Sequence, residues 1–512
     1  MPTAAWILIF LIAYFIFAHI KRIKSLPPGP FAWPIVGNYV QIGLAHLKGA
    51  SLVEWYEQCK RKYGPVFTVW VGPMPVVMVT DYDNIQEVYV NNADATAQTG
   101  RQKAFVITGY RGHMGLVWTD GPAWQEQRRF SLRVLKDFGF GRNLMQQRIL
   151  EEISCVFDKI DADIAASPKG KLVMDPGPFL ALLIGSVINK ILVGYRYDES
   201  NEDELKKLKG GLDKQLDAFT PADMVVFNRF TYRLPLFKQR YDTVAAPQMQ
   251  VLEHFVELIE KRRKAIQNNT HLVDPTEPCD YMDAYLCEIE RREKAGEEMG
   301  FFSDKYLAAN LLDLYVAGME TTILVLRWGF AFLLNKPEVQ EKLRKEVLKV
   351  TYGNRFVELS DKPNMPYASA VVTETLRCAN IMNFNLLHET TNESNVGGYI
   401  IPRGTVTTPQ LSVALRDADV FDNPLEFNPE RFLSRDGKET EKKVIPFGLG
   451  KRACLGESLA RAEIFLFLTN FVQGFKFSPN DEGPPPDTEP ISKITSMHRP
   501  KPFLMTVQKL KT

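Results

Sequence analysis

A mostly α-helical body with a small β portion, folded as one large domain behind an apolar N-terminal segment, is the architecture the sequence predicts. Three observations carry it. Apolar residues recur with helical periodicity along most of the chain, strand signals are confined to a few short stretches, and from Val36 onward no linker, repeat or low-complexity tract interrupts the 512 residues. Length alone would suggest roughly two to four domains, so the lack of a break decides for one. Hydrophobic residues at 45% and charged residues at 24% describe an ordinary globular protein. The formal net charge of +1 excludes a global field that favours nucleic acid.

The elements follow in order. "TAAWILIFLIAYFIFAHI", Thr3 to Ile20, is almost wholly apolar. As a helix it reaches about 27 Å, near the roughly 30 Å of a bilayer's hydrocarbon core. Lys21, Arg22 and Lys24 follow it directly. A cleaved signal peptide has its cations before the apolar run and small residues at its exit. Residues 1–20 therefore read as a transmembrane anchor that leaves the rest of the chain in the cytosol. Residues 21–35 are a basic linker stiffened by "LPPGP", and 36–512 form the folded domain.

Within that domain, "GPVFTVWVGPMPVVMVT" at about 64–80 predicts a β-hairpin. Helices are expected at about 51–62, 83–92, 121–138, 143–163, 176–193, 203–218, 247–267 and 280–294. A long helix should start after an N-cap at Ser303 and stop near Asn335, ahead of Pro337. Asn310, Asp313 and Glu320 make it too polar for a membrane span, so it reads as a buried central helix. Helices at about 337–351 and 364–379, strands and turns at about 384–408 and a last helix at about 456–473 complete the pattern. The six cysteines are scattered without paired short spacing, which points to reduced thiols rather than a disulfide scaffold.

The chemistry gathers in "VIPFGLGKRACLGESLARAEIFLFL", Val444 to Leu468. Gly448-x-Gly450 imitates a dinucleotide loop, but Pro446 interrupts the strand such a loop needs and no βαβ unit surrounds it. A phosphate loop fails because Arg452 follows Lys451 where Ser or Thr is required. Two readings of Cys454 stay open on the stretch alone. It is a small buried residue at a helix start, or a thiolate metal ligand favoured by the helix N-terminus and by Lys451 and Arg452.

"FGLGKRACLG", Phe447 to Gly456, resembles without a gap the haem-binding signature of the cytochrome P-450 monooxygenases. "AGMETT" (Ala317 to Thr322) resembles that family's oxygen-activating motif, "ETLR" (Glu374 to Arg377) its Glu-x-x-Arg, "FNPERF" (Phe427 to Phe432) its Pro-Glu-Arg-Phe segment and "WQEQR" (Trp124 to Arg128) its Trp-x-x-x-Arg. The anchor and "PPGP" are similar to those of microsomal, family-two animal members. The resemblance implies a single domain of cytochrome P-450 type with haem b as cofactor and Cys454 as axial iron ligand. It implies that Phe447 covers the sulfur and that Gly456 gives clearance beside it. Trp124, Arg128 and Arg452 would serve the propionates, joined by His388 where the family commonly has Arg or His. Ala317 and Gly318 would give the macrocycle room, and Thr321 would bond the Ala317 carbonyl and bend the helix. Thr321 and Glu320 would deliver protons during oxygen activation. Glu374, Arg377 and Arg431 would form a buried structural network.

Substrate contacts are implied for about 101–118, 215–219, Leu312 to Thr321, 381–386 and Met497, and a bilayer contact for 224–237. The partners implied are a lipophilic small molecule, the endoplasmic reticulum membrane, an NADPH-dependent flavoprotein reductase and a cytochrome b-type donor, with no nucleic acid. Arg128, Arg129, Arg133, Lys136, Lys442, Lys443 and Lys451 would offer the reductase a cationic face. A peroxide-rearranging isomerase and a non-catalytic haem sensor are the alternatives; the intact Glu320–Thr321 pair argues against the isomerase.

Overall fold

The computed structural model describes residues 2–96, 104–139, 143–480 and 483–510. Helix α1 (Pro2–Lys24) is apolar until its last turn, where Lys21, Arg22 and Lys24 gather. Its large side chains stand exposed, Trp6 at 70% and Phe10 at 72%. The C-terminal end of α1 touches the body: His19 Nε2 lies 3.0 Å from the Ala32 carbonyl and Arg22 sits over the Trp70 ring. Helices α2 (Tyr39–Leu47) and α3 (Leu52–Tyr63) follow, the latter started by a capping box in which Ser51 and Glu54 satisfy each other's backbone N–H.

Strands β1 (Val66–Val71) and β2 (Met74–Val79) form the expected hairpin, in register Val66 to Val79. Next come α4 (Phe105–Arg111), α5 (Gly121–Asp137), α6 (Asn143–Ala166), β3 (Leu172–Met174), α7 (Pro176–Val193), α8 (Glu202–Ala218), α9 (Pro235–Gln267) and α10 (Tyr281–Ala295). The central helix α11 (Asp304–Asn335) starts as expected, with the Ser303 hydroxyl accepting from Tyr306 N–H. Then follow α12 (Pro337–Thr351), α13 (Pro366–Ala379), β4 (His388–Glu389), β5 (Ser394–Val396), β6 (Tyr399–Ile401), β7 (Val406–Pro409), α14 (Glu457–Gly474), β8 (Phe475–Pro479) and β9 (Met505–Lys509).

Helices α7 and α11 are long and apolar enough to cross a membrane, yet 72% and 78% of their apolar windows lie inside the protein. They are core helices. Helices α7, α9, α13 and α14 pack around α11. One sheet runs β1-β2-β7-β4, with β7 parallel to β2 and β4 antiparallel to β7 so that His388 pairs with Thr407. A second runs β3-β9-β8, and β5 and β6 form a separate hairpin.

Three local expectations differ from the structure. Helix α9 starts at Pro235 rather than near 247, and Pro247 lies inside it, where it packs against Gly211 of α8. Tertiary packing there outweighs the lost helical hydrogen bond. Helix α2 is absent from the expected set because Gly43 and short length weaken its periodicity. Strand β3 pairs with β9 from more than three hundred residues away, β8 pairs with the nearer β9, and none of the three signals itself in the sequence pattern.

Candidate active site

The loop before α14 is shaped by two left-handed glycines, Gly448 at φ +72° and Gly450 at φ +78°. At Gly450 the constraint is also steric, since a Cβ would lie 1.8 Å from the Tyr89 carbonyl oxygen. Cys454 N–H closes the loop onto the Phe447 carbonyl at 2.9 Å. The Cys454 side chain is exposed, yet protein surrounds it closely enough that desolvation is the largest influence on the thiol and pushes it up. The backbone N–H groups of Gly456 and Glu457 and the guanidinium of Arg128 pull the thiol back down, while the Glu457 carboxylate opposes them. The helix N-terminus therefore acts on the sulfur as expected, and Arg128 is the cation that acts most on it. Lys451 pairs with Asp94, and Arg452 donates to Asp120 Oδ1 at 2.7 Å and to the Thr119 carbonyl at 2.9 Å.

Trp124 and Arg128 share a face of α5, as their spacing requires. Arg452 stacks on the Trp124 ring at 3.7 Å and Arg128 lies over it at 5.6 Å. Arg128 also donates from Nη2 to the Ala453 carbonyl at 2.7 Å, which ties α5 to the residue before the cysteine. Phe447 packs under Arg461 at 4.9 Å. His388 is buried on β4; its Nδ1 donates to the Thr96 carbonyl at 2.9 Å and its ring lies 4.7 Å from Tyr89.

On α11, Ala317 is exposed in the middle of an otherwise buried helix and Thr321 is half-buried. Thr321 Oγ1 donates to the Ala317 carbonyl at 2.6 Å, the back-bond that bends helices. Gly318 serves a different purpose from the one expected. A Cβ there would meet Ile188 at 2.7 Å, so its small size admits α7 rather than a macrocycle. Glu320 is buried and accepts from Lys209 Nζ of α8 at 3.0 Å. Burial pushes its carboxyl up and the Lys209 ammonium pulls it back. Lys209 also meets Asp213, which binds Arg499 at 2.8 Å. Among the described residues no hydrogen bond joins the Glu320 and Thr321 side chains.

The Glu-x-x-Arg residues meet their partner. Glu374 and Arg377 are fully buried and joined at 2.8 Å, and Arg431 Nε donates to Glu374 at 3.0 Å. Arg377 also caps the carbonyls of Leu415 and Pro424 at 3.0 and 2.7 Å.

The substrate regions converge in part. Met382 and Met497 form a β-bridge, and Ser496 N–H donates to the Phe219 carbonyl at 3.1 Å. Residues 101–103 of the first region lie outside the described residues. Sequence reasoning missed the tie that holds the remainder. Asp313 of α11 accepts from Arg111 at 2.7 Å and from the N–H groups of Leu116 and Val117 at 2.7 and 2.8 Å. The signal was present, because Asp313 interrupts the apolar run "LLDLY" and a charge buried there needs a partner.

These residues fit a flat, dianionic, metal-centred ligand: an enclosed thiol for the metal, left-handed glycines before it, an uncovered Ala317 whose carbonyl Thr321 bonds, and cations stacked on Trp124. Such an arrangement suits a haem-thiolate oxidoreductase. The family model described as cytochrome P450 matches residues 27–507. Cytochrome P450 2B2 of Rattus norvegicus is 34% identical over 481 residues, 93% of either chain. A probable cytochrome P450, cyp-35D1 of Caenorhabditis elegans, is 32% identical over 484 residues, 94% of each chain. Cytochrome P450 2A13 of Homo sapiens is 32% identical over 470 residues, 90% of each. The chain belongs to the cytochrome P450 family, and its activity is that of a haem-dependent monooxygenase.

Proposed function

We propose that the protein is a membrane-anchored monooxygenase of the endoplasmic reticulum that inserts one atom of dioxygen into a lipophilic substrate and reduces the other to water. Electrons come from NADPH through a separate flavoprotein reductase, with a cytochrome b-type protein as a second donor. The observation that carries this reading is the enclosed Cys454 thiol, backed by Arg128, on a loop that the Cys454 N–H closes onto the Phe447 carbonyl.

Haem b, when bound, supplies the thiolate-ligated iron at which dioxygen is activated. Cys454 would hold the iron through its sulfur, and the N–H groups of Gly456 and Glu457 would steady the charge of that sulfur. Phe447 shields the sulfur from water. Arg128, Arg452, Trp124 and His388 would receive the propionates, with Arg452 also paired to Asp120. Ala317 leaves room beside the helix bend. Thr321 and Glu320 hold and move protons, Glu320 once its pairing with Lys209 loosens. Glu374, Arg377 and Arg431 keep the chain folded around the site. The Thr321 hydroxyl beside Ala317 supports oxygen activation over peroxide rearrangement, because it gives that exposed turn a proton-carrying group.

Helix α1 spans the bilayer, with Lys21, Arg22 and Lys24 at its cytosolic end. Phe230 and Leu236, 83% and 84% exposed, extend the membrane contact to the segment before α9. Arg129, Arg133 and Lys136 are exposed on α5 and give the reductase a cationic face.

The test is the reduced, carbon-monoxide-bound absorption spectrum of wild type and Cys454→Ala, followed by product formation from lipophilic substrates with reductase, NADPH and isotopically labelled dioxygen. A thiolate-type band in wild type alone and one labelled oxygen in product are expected. Absence of that band in wild type sinks the assignment, and product made without NADPH supports the isomerase.

A further inference from the structure

A cleft of about 470 Å³, within the range of small-molecule sites, lies between the C-terminal half of α11, the end of α13, the start of α3 and the chain before β9. Neither Cys454 nor Thr321 lines it. Trp328, which does, stands seven positions beyond Thr321 on α11, roughly 10 Å along the helix axis. The floor is a run of near-parallel rings. His498 lies 4.5 Å from Trp328, Trp328 5.6 Å from Phe332, and Phe332 4.9 Å from Phe427. Leu425, 74% exposed, stands at the mouth.

The charges around the cleft pair off and leave one over. Lys336 meets Glu426 at 3.4 Å, Lys493 meets Glu489 at 2.8 Å, and Arg377 is held by Glu374. Glu54 accepts from the Ser51 N–H at 2.6 Å. Asp417, next in sequence to Arg416, binds Lys60 at 2.6 Å. Arg416 is half-buried, and among the described residues its guanidinium has no hydrogen bond and no ion pair. Glu54 and Glu57 of α3 feel its charge without bonding it. A guanidinium held in a cleft with its donors unspent suits a planar anion. His498, 7% exposed, is the second unspent group. Its Nδ1 donates to the Ala379 carbonyl at 2.7 Å. Burial, aided by the Arg416 charge, pushes the ring down to about 4, so it is neutral and Nε2 is an acceptor. No described residue donates to that nitrogen.

We propose that this cleft binds a flat aromatic monocarboxylate carrying a hydroxyl group, as a ligand site separate from the haem. The carboxylate accepts from the Arg416 guanidinium, the aromatic body lies between the ring floor and Leu425, and the hydroxyl donates to His498 Nε2. Glu54 and Glu57 stand near enough to Arg416 to act on its charge, so a monoanion balances the site while a phosphate dianion meets repulsion. A ligand without a donor is disfavoured in the same way, because it leaves the buried imidazole nitrogen unpaired. The site goes beyond the monooxygenase activity and does not depend on it.

The experiment titrates full-length holoprotein with hydroxynaphthoate by calorimetry while the haem absorption band is followed. Wild type should show saturable one-to-one binding that leaves the haem band in place. Naphthoate without the hydroxyl and naphthol without the carboxylate should each bind about tenfold more weakly or worse, and inorganic phosphate should not compete. Arg416→Gln should weaken hydroxynaphthoate about tenfold or more, and Arg416→Lys should recover part of the loss. Leu425→Glu, at an exposed position, sets a second carboxylate at the mouth and should weaken binding as well, which decides the matter if Arg416→Gln does not fold. No saturable binding in wild type overturns the proposal, as does full affinity in Arg416→Gln or in Leu425→Glu. Binding seen only with a shifted haem band places the acid at the haem and overturns it too, and effective competition by phosphate reduces the cleft to a plain anion site.

Discussion

Arg377 lies edge-on along the Glu374 carboxylate, Nε and Nη2 each donating at 2.8 Å to a separate oxygen, with both side chains fully buried. Bidentate pairing of this kind needs a planar fork. Removing either member strands a charge in the interior. Arg377→Ala and Glu374→Ala should each destabilise the protein by about 3–5 kcal/mol. Arg377→Lys should recover little of that, because one ammonium cannot also reach the carbonyls of Leu415 and Pro424. Urea midpoints and haem retention after gel filtration measure this; an Arg377→Lys protein as stable as wild type would contradict it.

The two left-handed glycines separate strain from collision. Gly448→Ala meets no heavy atom within 4 Å and bears only the conformational cost of about 1–2 kcal/mol. Gly450→Ala adds a contact at 1.8 Å with the Tyr89 carbonyl and must displace that backbone. The yield of protein with a thiolate-type carbon monoxide band should fall modestly in the first and nearly to zero in the second. Equal yields would count against the close approach.

Thr321→Ala frees the Ala317 carbonyl and removes a hydroxyl from that exposed turn. NADPH should still be consumed, while product per NADPH falls about tenfold or more and peroxide rises. Thr321→Ser, which keeps the hydroxyl, should stay within a few-fold of wild type. Paired measurement of NADPH, peroxide and product decides the matter.

Asp313 accepts three hydrogen bonds and Arg111 gives one of them. Asp313→Ala should therefore cost about 3–5 kcal/mol, and more than Arg111→Ala, which leaves the carboxylate two backbone donors. Limited proteolysis between residues 104 and 118 should speed up in both, most in Asp313→Ala. Unchanged cleavage would show that the tie does not hold this segment.

The raised carboxyl of Glu463 gives stability a pH dependence. Between the ordinary glutamate value of 4.5 and about 8, the folded chain holds a proton that the unfolded chain has released. Stability therefore falls as pH rises through that window. Glu463→Gln should remove this component, so its unfolding midpoint should gain on wild type from pH 5 to pH 8. Parallel curves would show that Glu463 titrates alike in both states.

Much of this was legible in the sequence where signals are local. Ser303 and Pro337 bracket the central helix, the four-residue spacing of Thr321 and Ala317 foretells their bond, and Glu374 and Arg377 fall one helical turn apart. Partners brought together by the fold were not legible. Nothing near Glu320 points to Lys209, 111 positions earlier, and nothing near Asp313 points to Arg111, 202 positions earlier. The same distance misassigned the cations. Lys451 and Arg452 adjoin Cys454 in sequence, but Arg128 is the cation that acts most on its sulfur, while Asp94 and Asp120 pair with the other two. Gly318, placed by its motif beside the cofactor, packs on Ile188.

The contact between Arg128 and the Ala453 carbonyl spans 325 positions of chain. At ribosomal rates that interval takes roughly 15–65 s to synthesise. For that time the helix bearing Trp124 and Arg128 waits without the loop it will meet, its aromatic ring bare of Arg452 and its cations unanswered. Prosthetic-group capture is therefore a late event in the life of each molecule, and a chain halted by a premature stop before Phe447 would emerge with half a cradle for chaperones to guard.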